Sequence, residues 1–353
     1  MEKNLVDRLK EARQGDLLGS KELKAIAKVE SAVLRGFRNY CESEGFEELI
    51  VPHMTAATGA CENFLTVFPV EYFGKTAYLS QTGQLYLEAF VPSMRKVCCA
   101  GSSFRKEPDV DNRHLVEFPL LEIEEADITL DVLKDRISGI VNSMITSVGE
   151  RCGSELSLLD IDSKWLGHLT PPYNSITYGK AIETLNKYDY DLKWGNDLKS
   201  KHEHKLIEIN EGMPLFVTHY PQEIKFFNMR QNRDNPLIVN SADFLFPYGG
   251  EAVGAAEREE DYSILEKRLY ESKMLELMCE AIKQEPGEFA NKPIRELKEE
   301  GINRFRWYLD LVKQSPVRHA GCGIGMNRIV QGILKCPDIR ASTIYPLNRK
   351  TLM

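Results

Sequence analysis

An α+β fold is what the sequence of 353 residues predicts, on three observations. An apolar run, Lys96-Val97-Cys98-Cys99-Ala100, leads through a polar loop holding Pro108 and Asn112 into an alternating run from Leu115 to Ile123, the pattern of two strands joined as a hairpin. Stretches with apolar residues at helical spacing lie on both sides: Leu23, Ile26, Ala27, Val33 and Leu34 before it, and Val132, Leu133, Ile137, Ile140, Val141, Met144 and Ile145 after it. Near the C-terminus the glycines of Gly321-Cys322-Gly323-Ile324-Gly325 mark a strand running into a helix.

Composition sets the outer bounds. Hydrophobic residues make up 42% of the chain, enough for a core, and the length suits one large domain or two modest ones. No apolar run is long enough to span a membrane, and the start, Met1-Glu2-Lys3-Asn4, has no signal-peptide profile. Eight cysteines without a Cys-x-x-Cys pair indicate neither a zinc ribbon nor a disulfide framework, so a reduced, cytoplasmic protein is expected. A net charge of −8 argues against a general nucleic-acid-binding surface.

In chain order, the first helical stretch (1–35) continues through Phe37 and Tyr40 and stops at Gly45, a residue suited to a C-terminal cap. Phe46 to Pro52 reads as a strand ended by proline. Residues 128–160 read as an amphipathic helix on the sheet, 216–221 as a strand, and 262–300 as a charged helical stretch on the surface. Glu124 and Glu125 read as solvated, as does the stretch holding His202 and His204. Chemistry concentrates in three places. Arg105, Glu107 and Arg113 around the hairpin suit a nucleoside triphosphate, since guanidiniums neutralise phosphate oxygens and a carboxylate can read an adenine amino edge. Asp243 and Glu251 are carboxylates on adjoining strands, the hard ligands Mg2+ takes when it bridges phosphates. The glycines before Arg328 let a strand–helix junction approach a nucleotide.

Phe104-Arg105-x-Glu107, a loop, then Arg113-His114-Leu115-x-Glu117-Phe118 resembles motif 2 of class II aminoacyl-tRNA synthetases of the aspartyl/asparaginyl branch. The segment of about 30–52 is similar to motif 1, about 96–125 to motif 2, and about 317–335 to motif 3. This resemblance implies a class II catalytic domain over 1–353: a mostly antiparallel sheet flanked by helices, forming a homodimer, with a helical insertion at about 265–300 and without the N-terminal anticodon-binding barrel. It also implies ATP and Mg2+ as cofactors. Arg105 then neutralises the α-phosphate, and Arg113, His114 and Arg328 hold the outer phosphates. Glu107 reads adenine, Phe118 stacks on it, Gly323 and Gly325 lie beneath the nucleotide, and Asp243 and Glu251 take the metal. Asn327 stands where the family puts an acid.

For the amino acid, the resemblance implies a pocket built from Gln84, Leu87, Glu122, Arg230 and Arg258. Aspartyl enzymes carry a lysine where this chain has Leu87 and an aspartate where it has Glu122. A leucine cannot neutralise a carboxylate, so a neutral amide is favoured. The loop glutamate that holds the α-ammonium in the family falls at or near Thr58, with Glu62 as a substitute. The expected activity is an ATP-dependent ligase that activates asparagine as an adenylate and passes it to a small amine rather than to anticodon-read tRNA. Amidation of aspartate with ammonia, ordinary asparagine–tRNA ligation and a non-catalytic paralogue are the alternatives. Archaeal asparagine synthetase-related proteins, which also lack the barrel, are similar too, and can carry Gly-Glu-Arg-Glu in the region of Glu257-Arg258-Glu259.

Overall fold

The computed structural model describes residues 19–57, 64–285 and 288–352. Helix α1 (Lys21–Glu44) begins where Ser20 accepts the Leu23 N–H, and ends at Gly45, whose φ of 75° only glycine adopts without strain. Its apolar stripe, Val29, Val33 and Phe37, is fully buried. The strand expected at Phe46–Pro52 is only two residues long, β1 (Glu47–Glu48), and Pro52 lies beyond it. Strands β2 (Met54–Thr55), β3 (Pro69–Tyr72) and β4 (Lys75–Leu79) make a small sheet in the order β2-β4-β3.

The hairpin is longer than the sequence pattern marks. It comprises β5 (Lys96–Phe104) and β6 (Glu117–Ala126), paired without a break from Lys96↔Glu125 to Phe104↔Glu117. With β7 (Asn174–Thr177), β8 (Leu215–Thr218), β9 (Ser241–Phe246), β10 (Gly250–Glu257) and β11 (His319–Gly325) it forms an eight-stranded sheet, ordered β1-β5-β6-β11-β10-β9-β8-β7. Only the two edge pairs, β1–β5 and β7–β8, are parallel.

Alternation along the strands gives the sheet two unlike faces. Leu121 and Ile123 of β6, Phe244 of β9, Val253 of β10 and Ile324 of β11 join the core cluster on one face. Covering this face are α1 and the helix after the hairpin, which runs Leu130–Arg151 and not to residue 160. These two helices cross closely, because Gly36 lies against the Met144 backbone, where a Cβ would come within 2.5 Å of its Cα. Burying each large aliphatic side chain here contributes about 1.5–3 kcal/mol. The other face carries Glu122, Glu124 and glycines, and is where chemistry can happen.

The described residues of 262–300 are mostly helical, as expected, but they are not a surface excursion. Three helices, Tyr262–Glu271, Lys273–Ile282 and Ile294–Gln314, bury Leu265, Leu269, Leu275, Met278 and Phe305 in a second core shared with Phe64, Tyr78 and Leu85. Charges on the outward sides of these helices mask that stripe in the sequence. Among the described residues no helix is long and apolar enough to cross a membrane.

Candidate active site

Strand register places the site. Cys99, Glu122, Gly323, Gly254 and Asp243 stand opposite one another across β5, β6, β11, β10 and β9. One step along, Glu124 faces Gly321, and a side chain there would overlap the Glu124 carboxylate. At Gly323 and Gly325 a Cβ would meet nothing closer than 3.6 Å, so those positions leave bare backbone as a floor between the carboxylates.

At one end of this floor three arginines converge. Arg105 lies over the Phe118 ring at 5.5 Å, and its Nε is buried without a partner among the described residues. Arg113 donates from Nη2 to Glu203 Oε2 at 2.6 Å, and its Nε is likewise orphaned. That guanidinium occupies the space a side chain at Gly250 would take, and Gly250 sits at φ 65°. Arg328 donates to the Glu251 carbonyl. Burial first, then the like charges of Arg113 and Arg105, hold its guanidinium below the ordinary value. Buried cations with unused donors are poised for an anion.

The carboxylates beside them differ in state. Asp243 is gripped by Lys225, with Nζ 2.9 Å from each carboxyl oxygen. Asp243 thus already faces one cation of the chain. Burial, opposed by Lys225 and reinforced by the Glu251 charge, pushes it up to about 7. Glu251 makes no side-chain hydrogen bond to the described residues, while its N–H donates to Glu203 at 3.0 Å. One free carboxylate beside a second suits Mg2+, which takes one or two protein oxygens and completes its shell with phosphates and water. No group of three or more metal-binding side chains occurs among the described residues, as that mode of binding allows.

The opposite end is closed. Glu122 accepts from the Thr82 hydroxyl and, at 2.7 Å, from the Gly83 N–H; burial raises it above the usual carboxylate value. Leu87 is fully buried against Val91, Val97 and Cys99, an apolar wall where an ammonium would have no water. Arg258 donates to Glu124 from Nε at 3.2 Å and from Nη2 at 2.6 Å. Glu124 is 1% exposed and Glu125 4%, so neither is the solvated residue the sequence suggested. Gln84 is buried and donates to Glu88 Oε1 at 2.7 Å.

Other expected members lie elsewhere. Arg230 is taken up by Glu260, at 2.9 Å, and lies 3.8 Å from Glu257. Glu257 in turn accepts from the Leu130 N–H at the start of the helix on the core face, so Arg230 does not join the pocket. The His114 ring pairs with Asp111 at 2.7 Å within the loop, and Glu107 forms no side-chain hydrogen bond to the described residues. Thr58 and Glu62 lie outside the described residues. The loop itself is stitched to the C-terminal segment. Val116 N–H donates to Leu347 at 3.0 Å, Ile339 N–H to Asn112 at 2.9 Å, and Arg349 to the Pro108 carbonyl at 2.9 Å.

Sequence reasoning missed Glu203, Lys225, Glu88 and His319. Glu203 sits between His202 and His204, and His202 is itself buried, its Nδ1 accepting from the Lys199 N–H at 3.0 Å. Two buried neighbours on a nominally solvated stretch are legible only once Leu206 and Ile207 are counted as the same face.

A mostly antiparallel sheet with paired arginines over a glycine floor is the catalytic fold of a class II aminoacyl-tRNA synthetase. The family described as tRNA synthetases class II (D, K and N) matches residues 8–349, and the chain belongs to it. The asparagine–tRNA ligase of Thermococcus gammatolerans is 34% identical over 331 residues, covering 93% of this chain and 70% of that protein. That of Thermococcus kodakarensis is 35% identical over 332 residues, with the same shares. Among solved structures, the asparaginyl-tRNA synthetase of Pyrococcus horikoshii complexed with asparaginyl-adenylate superposes with a TM-score of 0.84 at 32% identity, covering 98% of this chain and 73% of that one. This chain is accordingly an ATP-dependent ligase of the adenylate-forming kind, using ATP and Mg2+.

Proposed function

We propose that the amino acid activated is asparagine. The observation that supports this is the closed pocket end. Glu122 is held by two donors from the Thr82-Gly83 turn, with buried Leu87 beside it and no lysine among the described groups that act on it. An amide nitrogen can donate to Glu122 and an amide oxygen accept from Arg258, whereas a substrate carboxylate would meet the like charge of Glu122.

In the reaction a carboxylate oxygen of asparagine attacks the α-phosphorus of ATP, and the bond to the β-phosphate oxygen breaks to release pyrophosphate. Arg105 meets charge at the α-phosphate, while Arg113 and Arg328 hold the outer phosphates. Phe118 supplies a face for adenine and Glu107 an acceptor for its amino edge. Glu251 with Asp243 would hold Mg2+, which offsets charge on the departing pyrophosphate. Positioning and electrostatics supply the rate.

Two acceptors fit such an adenylate. The named relatives favour tRNA. The net charge of −8, which gives little non-specific hold on RNA, is what speaks for a small amine. A homodimer through the motif 1 edge is part of the proposal, since Ile50 there is fully exposed.

The test is ATP–pyrophosphate exchange with asparagine and aspartate, followed by transfer of labelled product to tRNA, ammonia or other amines. Exchange driven by asparagine is expected; exchange driven better by aspartate overturns the reading. Charging of an asparagine tRNA that is lost on changing its anticodon excludes the small-amine acceptor.

A further inference from the structure

Behind the pocket lies a buried carboxylate that the reaction does not use. Glu88 follows Leu87 on the short helix Gln84–Glu88, and its side chain is 2% exposed. Four donors converge on it from four separate stretches of chain. Oε1 accepts from Gln84 Nε2 at 2.7 Å and from Asn228 Nδ2 at 3.0 Å. Oε2 accepts from the Tyr308 hydroxyl at 2.7 Å and faces His319 Nε2 at 3.1 Å. Arg258 Nε stands 3.9 Å from Oε1.

Two of these neighbours, Gln84 and Arg258, are side chains placed at the substrate. A carboxylate only accepts, so Glu88 fixes which way the Gln84 amide lies: its NH2 turns to Glu88 and its carbonyl oxygen is the end left for a ligand. Arg258 is bracketed between Glu124 and Glu88, which leaves Nη1 as the nitrogen without a hydrogen bond to the described residues.

The charges around this point also count. Glu88, Glu122 and Glu124 face Arg258 and His319. His319 is held above its ordinary value by Glu88 against the pull of burial. Glu124 is pushed up to about 7, by burial first and by the Glu88 charge in addition. No cation is left over to balance a further carboxylate brought by a substrate.

Building on the asparagine reading, we propose that Glu88 is a positioning and specificity-determining residue. It orients Gln84 and Arg258 and sets the charge of the pocket, so that an amide is accepted and a carboxylate is refused. Tyr308 ties the same group to the helix Ile294–Gln314, and through it to the second core.

Exchange kinetics with both amino acids test this. Glu88→Gln keeps shape and removes the charge, so the ratio of kcat/KM for asparagine over aspartate should fall roughly tenfold. Tyr308→Phe removes one donor and no charge, so both amino acids should slow together with the ratio held within about threefold. Because a change at a buried charge can cost the fold, His319→Gln is the second arm. It removes a cation from the same group and should move the ratio the other way, toward asparagine. A folded Glu88→Gln or His319→Gln protein with an unchanged ratio overturns the proposal and leaves a merely structural hub. Wild-type protein that exchanges with aspartate and not asparagine overturns the asparagine reading itself, and the proposal with it.

Discussion

The two ends of the site are built on opposite principles. At the end proposed for the phosphates, Arg105 and Arg113 each keep a buried nitrogen without a partner among the described residues, and Glu251 holds its carboxylate clear of hydrogen bonds to them. At the end proposed for the side chain every carboxylate already has partners: Glu122 has Thr82 and Gly83, Glu124 has Arg258, and Glu88 has four donors. Unsatisfied buried donors cost stability until a ligand meets them, so the first end gains affinity from its own incompleteness. Groups already held in place by the protein present a fixed pattern of charge and acceptors, which favours one ligand chemistry over another. On the proposed reading, affinity and specificity fall to different ends of one glycine floor.

The comparison breaks most visibly at the phosphate end. Arg105→Ala and Arg328→Ala should each lower asparagine-dependent pyrophosphate exchange by about a hundredfold or more, with the circular dichroism spectrum unchanged. Near-normal exchange in both variants would sink the assignment of that end.

A finer separation comes from Glu203→Gln. Glu203 anchors Arg113 and the Glu251 N–H, so its loss should raise the KM for ATP roughly tenfold while that for asparagine stays put. Equal rises in both constants would mean that the two ends are not independent.

A pH effect on stability is shared by the two ends and leaves the exchange constants aside. Asp243 and Glu124 are pushed, chiefly by burial, from ordinary values of 3.8 and 4.5 up to about 7. The folded chain therefore keeps protons the unfolded chain has released. Their contribution to stability is full below the ordinary values and is lost as pH rises through about 7. Urea unfolding of Asp243→Asn and Glu124→Gln between pH 5 and pH 7 should each show a flatter slope than the wild type. An unaltered slope would place those protons elsewhere.

Much of this was legible in the residues alone. The hairpin, the helix stopped by Gly45 and the glycine-spaced junction are local patterns, each written in one continuous stretch of chain, and the structure has all three. What the sequence hid is non-local. Arg113 finds Glu203 across 90 positions, and Glu88 finds His319 across 231. No periodicity records such a meeting. Arg230 failed for the same reason: its motif neighbourhood suits the pocket, yet Glu260 and Glu257 draw the guanidinium away. The second core failed differently, because outward charges on its helices obscure an apolar stripe that is continuous in space.

The stitching of the hairpin loop to Leu347 and Arg349 bears on how the protein is handled at the bench. The nucleotide loop and the tail form one mechanical unit, although they are far apart in the gene. A purification tag or reporter domain carried behind this segment would sit close to that unit. A poor ATP affinity measured with such a fusion would then describe the fusion rather than the enzyme.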